Sequence, residues 1–384
     1  MLGLPFWAGF FRENMKYNEL PIEEMLVALL NWYQSGHRDL PWRRTKDPYA
    51  IWISEIMLQQ TRVEAVKRYY QRFLETLPTI ADLARVPEDR LMKLWEGLGY
   101  YSRARNLKAA AQVICEVHGG QMPKDYEKIL SLPGIGAYTA GAISSIAYAL
   151  PYPAVDGNAL RILGRAAECD EDILKEKTKR EAAAALKPSI EQISSKYPGE
   201  NIPGMINQSM MELGACVCIP TGEPLCEACP WREYCGARAH GSIMEYPVKK
   251  KAKKRRLEDK TVLLLLTGDG VLLHKREERG LLAGLYEFPN VEGHLKEDAI
   301  GPLMEKWGLA PFSISKLDSA KHIFSHIEWH MEGYALQVSV MDESRLRRLG
   351  FFAVKGMELK EQYSLPSAFG VYLQKLFKLN DLPI

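Results

Sequence analysis

Two carboxylates stand in unlike surroundings. Glu55 lies in the stretch YAIWISEIMLQQT, among Ile51, Trp52, Ile53, Ile56, Met57 and Leu58. A carboxylate in an apolar helix start is desolvated, which disfavours its charged form and raises its pKa. That is how a glutamate becomes a general acid near neutrality. An exposed glutamate on a polar helix stripe fits the stretch equally well. Asp156 lies in PAVDGNALRIL, where Gly157 and Asn158 put it at the mouth of a helix. A helix N-terminus favours the ionised carboxylate, although a plain cap is the commoner use of Asp there. Together the two environments predict one acid that donates a proton and another that stays negative. That division suits a reaction through an oxocarbenium-like state, such as cleavage of a glycosidic bond.

Cys218, Cys226, Cys229 and Cys235 fall within eighteen residues, spaced C-x7-C-x2-C-x5-C. Four thiolates this close suit a tetrahedral metal or an iron–sulfur cluster, and the spacing does not separate zinc from iron. Cys216 lies just before the group; Cys218 is preferred as first ligand because it leaves the shorter loop to Cys226. Cys115 and Cys169 read as core or incidental thiols. Residues 132–143, LPGIGAYTAGAI, read as a helix stop, a turn at Gly134 and Gly136, and a new helix. Such a turn presents backbone N–H groups and a helix N-terminus to a phosphate. A plain helix connection competes with that reading. The small residues Ala137, Thr139, Ala140 and Gly141 favour close approach of a ligand backbone.

The elements that must hold these groups follow from composition and pattern. The chain has 384 residues, a net charge of +2 and 47% hydrophobic residues. This is globular composition with room for two or three cores, not collagen, a disordered tail or a small disulfide scaffold. No apolar run approaches the ~20 residues of a membrane span. The apolar stretch Met1 to Phe11 lacks a basic start and meets Arg12 and Glu13 at once, unlike a signal peptide. A cytoplasmic protein is expected, in which cysteines serve metals or cores rather than disulfides. Residues 249–256, KKKAKKRR, read as a solvated linker. Upstream, helices are expected at Ile22–Trp32, Glu64–Leu77, Arg90–Trp95, Ala104–His118, Ala140–Ala149, Ala159–Ala167 and Lys175–Leu186. Downstream, Thr261–Thr267 and Val271–Lys275 flank a Gly-Asp-Gly hairpin turn, period two runs through Ile327 to Glu332, and Pro302–Trp307 and Ser367–Phe377 look helical.

A glycine hairpin, an Asp about twenty residues later and a four-cysteine loop resemble the plan of the helix-hairpin-helix DNA glycosylases. LPWRRTKDPYAIWISEIMLQQT at residues 40–61, LPGIGAYTAGAI and VDGN at 155–158 are similar to the adenine DNA glycosylases of MutY type. The resemblance implies a multidomain fold: an all-α helix-hairpin-helix core with an iron–sulfur cluster loop, then a C-terminal α+β Nudix-like domain. The implied parts are a cluster module with an N-terminal helix (17–40 and 149–247), a hairpin-bearing helical domain (41–148), a basic linker (248–258) and a recognition domain (259–384). The implied cofactor is a 4Fe–4S cluster on Cys218, Cys226, Cys229 and Cys235, although the family has six residues in the first gap and this chain has seven. GLLAGLYEFPN at 280–290 is similar to the Nudix signature, whereas the acidic helix of Nudix hydrolases is missing, which implies a domain that recognises and does not hydrolyse.

The same resemblance implies a monofunctional enzyme of base excision repair, acting as a monomer on double-stranded DNA that holds adenine opposite 8-oxoguanine or guanine. Glu55 is then the acid at adenine N7 and Asp156 the stabiliser of the sugar cation, with Tyr138 and Asn158 positioning them. Endonuclease III relatives carry a lysine at the site of Tyr138, so no strong lyase activity is implied. Arg38 and Arg43 line the base pocket, or else make surface salt bridges. Gln60, Thr61, Leu98 and Tyr100 fill the gap left in the base stack. Gly134 and Gly136 hold a phosphate, and Phe324, Ser325 and His326 sense 8-oxoguanine. His322, His326 and His330 at fours are not read as a helical metal site, because the flank has period two. Three rivals stand: an endonuclease III-like or thymine/uracil mismatch glycosylase, a non-enzymatic metal-stapled DNA-binding protein, and a working Nudix hydrolase fused to a DNA module.

Overall fold

The structure is a computed structural model that describes residues 15–250 and 254–378. The apolar start of the chain, Met1 to Phe11, lies outside the described residues, as does the middle of the basic run. The chain divides into two compact units: Met1–Arg85 with Asn106–Lys251, and Val86–Arg105 with Ala252–Ile384. No helix among the described residues is long and apolar enough to cross a membrane.

The first unit is helical. Its helix Pro48–Leu58 begins where Asp47 caps Tyr49 N at 3.0 Å and proline occupies the first turn. Every residue from Tyr49 to Met57 is buried, so this helix is central rather than amphipathic. It packs on the helix Ala137–Tyr148, which packs in turn on Ile202–Cys216. The turn before Ala137–Tyr148 falls on Gly134 alone, at φ +73°. A side chain there is strained, and its Cβ would come within 2.5 Å of Asn106. Gly136 is extended, with φ −100°, and serves as the N-cap.

The expected helices are present with shifted ends. Lys175–Leu186 is the exception, because the observed helix Glu176–Lys196 runs on through Pro188. Ala182, Leu186, Ile190 and Ile193 form one buried stripe, and that packing outweighs the lost hydrogen bond. The N-terminal helix Ile22–Ser35 joins it and the helices Gly157–Ala167 and Ile202–Cys216 in one core that reaches Cys218 and Cys229.

The second unit is built on a mixed seven-stranded sheet. The strands are β1 (Arg256–Thr267), β2 (Gly270–Lys275), β3 (Tyr286–Glu287), β4 (Asn290–Glu292), β5 (Leu309–Ile323), β6 (Ile327–Val340) and β7 (Phe351–Val354). The main path is β3-β2-β1-β6-β5, with β4 on β1 and β7 on β2. β1 starts earlier than the apolar run implies, inside the expected linker, because Arg256 to Lys260 pair in parallel with Ile327 to Met331 of β6. The period of two sends Val262, Leu264 and Leu266 to one face, with Phe369 and Tyr372, and Leu263 and Leu265 to the other, with Ile300 and Met304. A sheet covered on both faces explains the unbroken apolar run. His322 and His330 lie on β5 and β6, so the three histidines do not share a helix.

Val86–Arg105 is held to the second unit by polar contacts. Lys93 Nζ donates to Tyr363 O at 3.0 Å, Lys275 Nζ to Asp89 at 3.0 Å, and Leu365 N to Glu96 Oε1 at 2.9 Å.

Candidate active site

Glu55, Tyr138, Asp156 and Asn158 line one cleft of about 1040 Å³ in the first unit. Arg38, Arg43, Gln60, Thr61 and Gly136 share that lining. Each side chain is fixed by a different element. Glu55 sits in the last two turns of the central helix and is 4% exposed. Tyr138, in the first turn after the glycine hairpin, donates its hydroxyl to Glu55 Oε2 at 2.5 Å. Asp156 is the N-cap of Gly157–Ala167 and accepts from Ala159 N at 2.7 Å. Asn158 Nδ2 donates to Asp156 Oδ2 at 2.6 Å, and its own Oδ1 accepts from Arg161 at 2.8 Å.

Burial pushes the Glu55 carboxyl up to about 7, against the Tyr138 hydrogen bond, which opposes the rise; the negative charge of Asp156 adds to it and Arg43 subtracts. The same burial holds the Tyr138 hydroxyl well above its ordinary range. Asp156 corrects the sequence reading. It was expected to be favoured as an anion by its helix end, yet packing raises its carboxyl too, and the Ala159 amide and Asn158 only partly offset this. The two acids differ in their donors rather than in the sign of the shift.

Arg38 and Arg43 line the cleft, and they are also ion-paired there, Arg38 half-exposed and Arg43 buried. Both clasp Glu212, a residue that sequence reasoning missed. Arg38 Nη2 and Arg43 Nη2 lie 2.8 Å and 2.7 Å from its Oε2, and Arg38 Nε and N also donate to Oε1. Burial would raise the Glu212 carboxyl, but these hydrogen bonds hold it down at about 2. Gly214 was missed as well. A Cβ there would lie 2.5 Å from Asn158 Cβ and 3.1 Å from Arg161 Nη2, so only glycine lets the helix Ile202–Cys216 pass behind Asn158. Lys179, Arg180, Lys187 and Lys249 also line the cleft and bring positive charge to it.

The four cysteines line a single small cavity of about 30 Å³, together with Arg165 and Arg238. None is in a disulfide, and Arg165 Nη1 lies 3.2 Å from Cys218 Sγ. Cys216 does not share this lining; its thiol is 3.5 Å from Glu212 Oε1. Among the described residues, no three of His, Cys, Asp and Glu close in on one metal ion.

In the second unit, Phe324, Ser325 and His326 form the turn between β5 and β6. Phe324 packs on Trp329, with ring centroids 4.9 Å apart, while Ser325 and His326 are exposed. Ser325 Oγ is 3.1 Å from the hydroxyl of Tyr100. Tyr100 is 46% exposed and has a positive φ of 48°. Leu98, expected at the same gap, is only 6% exposed, and its carbonyl accepts from Arg103 at 3.0 Å. The helix Glu297–Trp307 carries Glu297, Asp298 and Glu305 as its only acids.

Residues 53–188 match the family model of the HhH-GPD superfamily base excision DNA repair proteins, and residues 261–375 match the NUDIX domain. The adenine DNA glycosylase of Buchnera aphidicola subsp. Acyrthosiphon pisum is 34% identical over 316 residues, which cover 82% of this chain and 87% of that protein. The human adenine DNA glycosylase is 34% identical over 369 residues, covering 80% of this chain and 66% of the human one, so the chain spans about two thirds of that relative. A solved thermostable thymine-DNA glycosylase is 28% identical, with a TM-score of 0.48, and the match covers 56% of this chain and 95% of that one. With a hairpin-led cleft that holds a buried glutamate and a capping aspartate, and with relatives of this similarity, the chain belongs to the adenine DNA glycosylases of the HhH-GPD superfamily.

Proposed function

We propose that this protein removes adenine paired with 8-oxoguanine or guanine in double-stranded DNA by hydrolysing its N-glycosidic bond. The observation that carries this is the sharing of one cleft by Glu55, Tyr138, Asp156 and Asn158. A base inside a duplex cannot reach such a cleft, so the nucleotide is turned out of the helix. Tyr100, backed by the buried Leu98, fills the gap in the stack, and Gln60 and Thr61 meet the DNA at the cleft. The backbone at Gly134 and Gly136 takes a phosphate at the N-terminus of Ala137–Tyr148.

Glu55, protonated, gives its proton to adenine N7, and the base leaves with the bonding electrons. Asp156 faces the positive sugar that remains. Tyr138 fixes the orientation of Glu55, and Asn158 that of Asp156. Water adds to the sugar and loses a proton, leaving an abasic site. Tyr138 offers no amine to attack the sugar, so strand cleavage is weak. Phe324 anchors a turn on which Ser325 and His326 read the 8-oxoguanine edge, in a domain that hydrolyses no nucleotide. Cys218, Cys226, Cys229 and Cys235 would hold a 4Fe–4S cluster; four sulfurs around one cavity suit it. When bound, it supplies a crosslink that stiffens the loop after Ile202–Cys216. The protein works as a monomer in the cytoplasm.

Release of free adenine from a duplex with adenine opposite 8-oxoguanine tests the activity. Glu55→Gln is expected to stop release while keeping duplex binding. Near wild-type turnover by that variant rules out Glu55 as the acid. Iron and acid-labile sulfide in purified protein, about four of each, are expected for the cluster; zinc in their place rules it out.

A further inference from the structure

Glu212 is an anion set against two cations at the wall of the cleft. It is 2% exposed, and the cleft lining includes Arg38 and Arg43 but not Glu212. Arg38 meets it with its backbone N–H and its guanidinium, at 3.0, 2.9 and 2.8 Å, and Arg43 at 2.7 Å. Arg43 also donates to Arg38 O at 3.0 Å and lies 5.6 Å from the Tyr33 ring centroid. Arg43 is therefore locked in place, and its side chain is only 8% exposed. Charges so shielded from water act on one another strongly.

The groups around Glu55 come from several elements. Tyr138 faces it from the helix Ala137–Tyr148, and Asp156 from the start of Gly157–Ala167. Arg43 comes from the turn Pro41–Arg43, with Arg38 just before it; Glu176, Lys179, Arg180 and Lys187 line the cleft from Glu176–Lys196, and Lys249 joins them. From Ile202–Cys216 the cleft receives Gln208 and Met211, both uncharged. Arg43 is the cation that opposes protonation of Glu55.

We infer that Glu212 is a positioning residue whose negative charge offsets Arg43 and so keeps Glu55 protonated at neutral pH. With Glu212 present, the three groups sum to one positive charge; without it they sum to two, beside an acid that must stay neutral. The inference rests on Glu55 being the proton donor.

Single-turnover adenine release, measured from pH 5 to 9 on a duplex with adenine opposite 8-oxoguanine, tests it. The donor is active below its pKa, so the rate falls on the alkaline side. Glu212→Gln is expected to move that fall down by about one pH unit, so that the rate loss at pH 8 exceeds the loss at pH 5 by about tenfold. Glu212→Asp keeps the charge and is expected to keep the wild-type midpoint. Arg43→Gln is expected to move the midpoint up. A Glu212→Gln enzyme slowed equally at every pH has lost only a structural contact, and that result overturns the inference. An Arg43→Gln midpoint that stays put or falls does the same. Should circular dichroism show Glu212→Gln unfolded, Arg43→Gln is compared with Arg43→Gln carrying Glu212→Gln: a lower midpoint in the double variant is expected, and an equal one overturns the inference. Activity in Glu55→Gln overturns the acid assignment itself, whatever the other profiles show.

Discussion

Glu55→Gln should stabilise the protein as it stops base release, and the gain should depend on pH. The Glu55 carboxyl is raised from an ordinary 4.5 to about 7, chiefly by burial. In the unfolded chain it ionises near 4.5, so between that pH and about 7 unfolding releases a proton that the folded state keeps. A carboxyl raised in the folded state contributes stability at low pH and loses it as pH climbs through the folded value. The rise from 4.5 to about 7 corresponds to about 3 kcal/mol, lost nearly in full by pH 8. Glutamine has nearly the same shape, and its amide oxygen can still accept the Tyr138 hydroxyl, but it has no charge to desolvate. Wild type and Glu55→Gln should therefore differ by less than about 1 kcal/mol at pH 5. At pH 8 the variant should melt higher by several degrees, at ~2–4 °C per kcal/mol for a unit of this size. Thermal melts at the two pH values, with adenine release measured alongside, provide the assay. A gap between the proteins that is the same at pH 5 and pH 8 would falsify the claim that burial of an ionisable carboxyl sets the acid.

Tyr138→Phe removes the hydroxyl that favours the Glu55 anion. A hydrogen bond to a charged group contributes ~1.5–3 kcal/mol, so the alkaline fall in rate should rise by about one to two pH units; a downward shift would reverse the assigned sense of that bond. Gly214→Ala puts a Cβ 2.5 Å from Asn158 Cβ. It should slow base release by about tenfold or more while leaving duplex binding largely intact, because the displaced Asn158 no longer holds Asp156; unchanged single-turnover rates would show that the Asn158 contact is dispensable. Ser325→Ala with His326→Ala should weaken the preference for 8-oxoguanine·adenine over guanine·adenine pairs more than the chemical step. Equal discrimination by variant and wild type would remove the β5–β6 turn from recognition.

What could be read from the chain follows the range of the interactions. Glu55 announced itself because its burial comes from neighbours in its own helix, where Tyr49 to Met57 are all buried. The cysteines did so through their spacing, and the hairpin through Gly134, whose positive φ is a local demand. Glu212 stayed hidden because its partners are 174 and 169 residues away, and MMELGAC reads as an ordinary helix. Gly214 was silent for the same reason: its constraint is a helix crossing behind Asn158. Local rules also misled where packing overrides them. Pro188 suggested an end to a helix that a buried stripe continues. β5 gave no clear signal, since its burial pattern is mostly intermediate and exposed, with a register shift at Pro311 to Ser313. The sign at Asp156 was misjudged because a cap was counted and the enclosure around it was not.

That misjudged sign leaves the division between the two acids intact, because what matters is which of them takes a shared proton. Two carboxyls at one cleft titrate as a pair, and the first proton goes to the one with less hydrogen-bond support for its charge. Asp156 receives the Ala159 amide and the Asn158 amide group; Glu55 receives the Tyr138 hydroxyl and lies in apolar packing. The proton therefore rests on Glu55, and the ionised Asp156 holds it there by repulsion. On the proposed path, this arrangement changes as the base departs. Once Glu55 has passed its proton to adenine, the cleft gains a second negative charge while the sugar becomes positive. Attraction for the cation is thus weakest in the ground state and strongest as the bond breaks, and only an interaction that grows in this way speeds the chemical step. Arg43, with its charge offset by Glu212, does not cancel that gain.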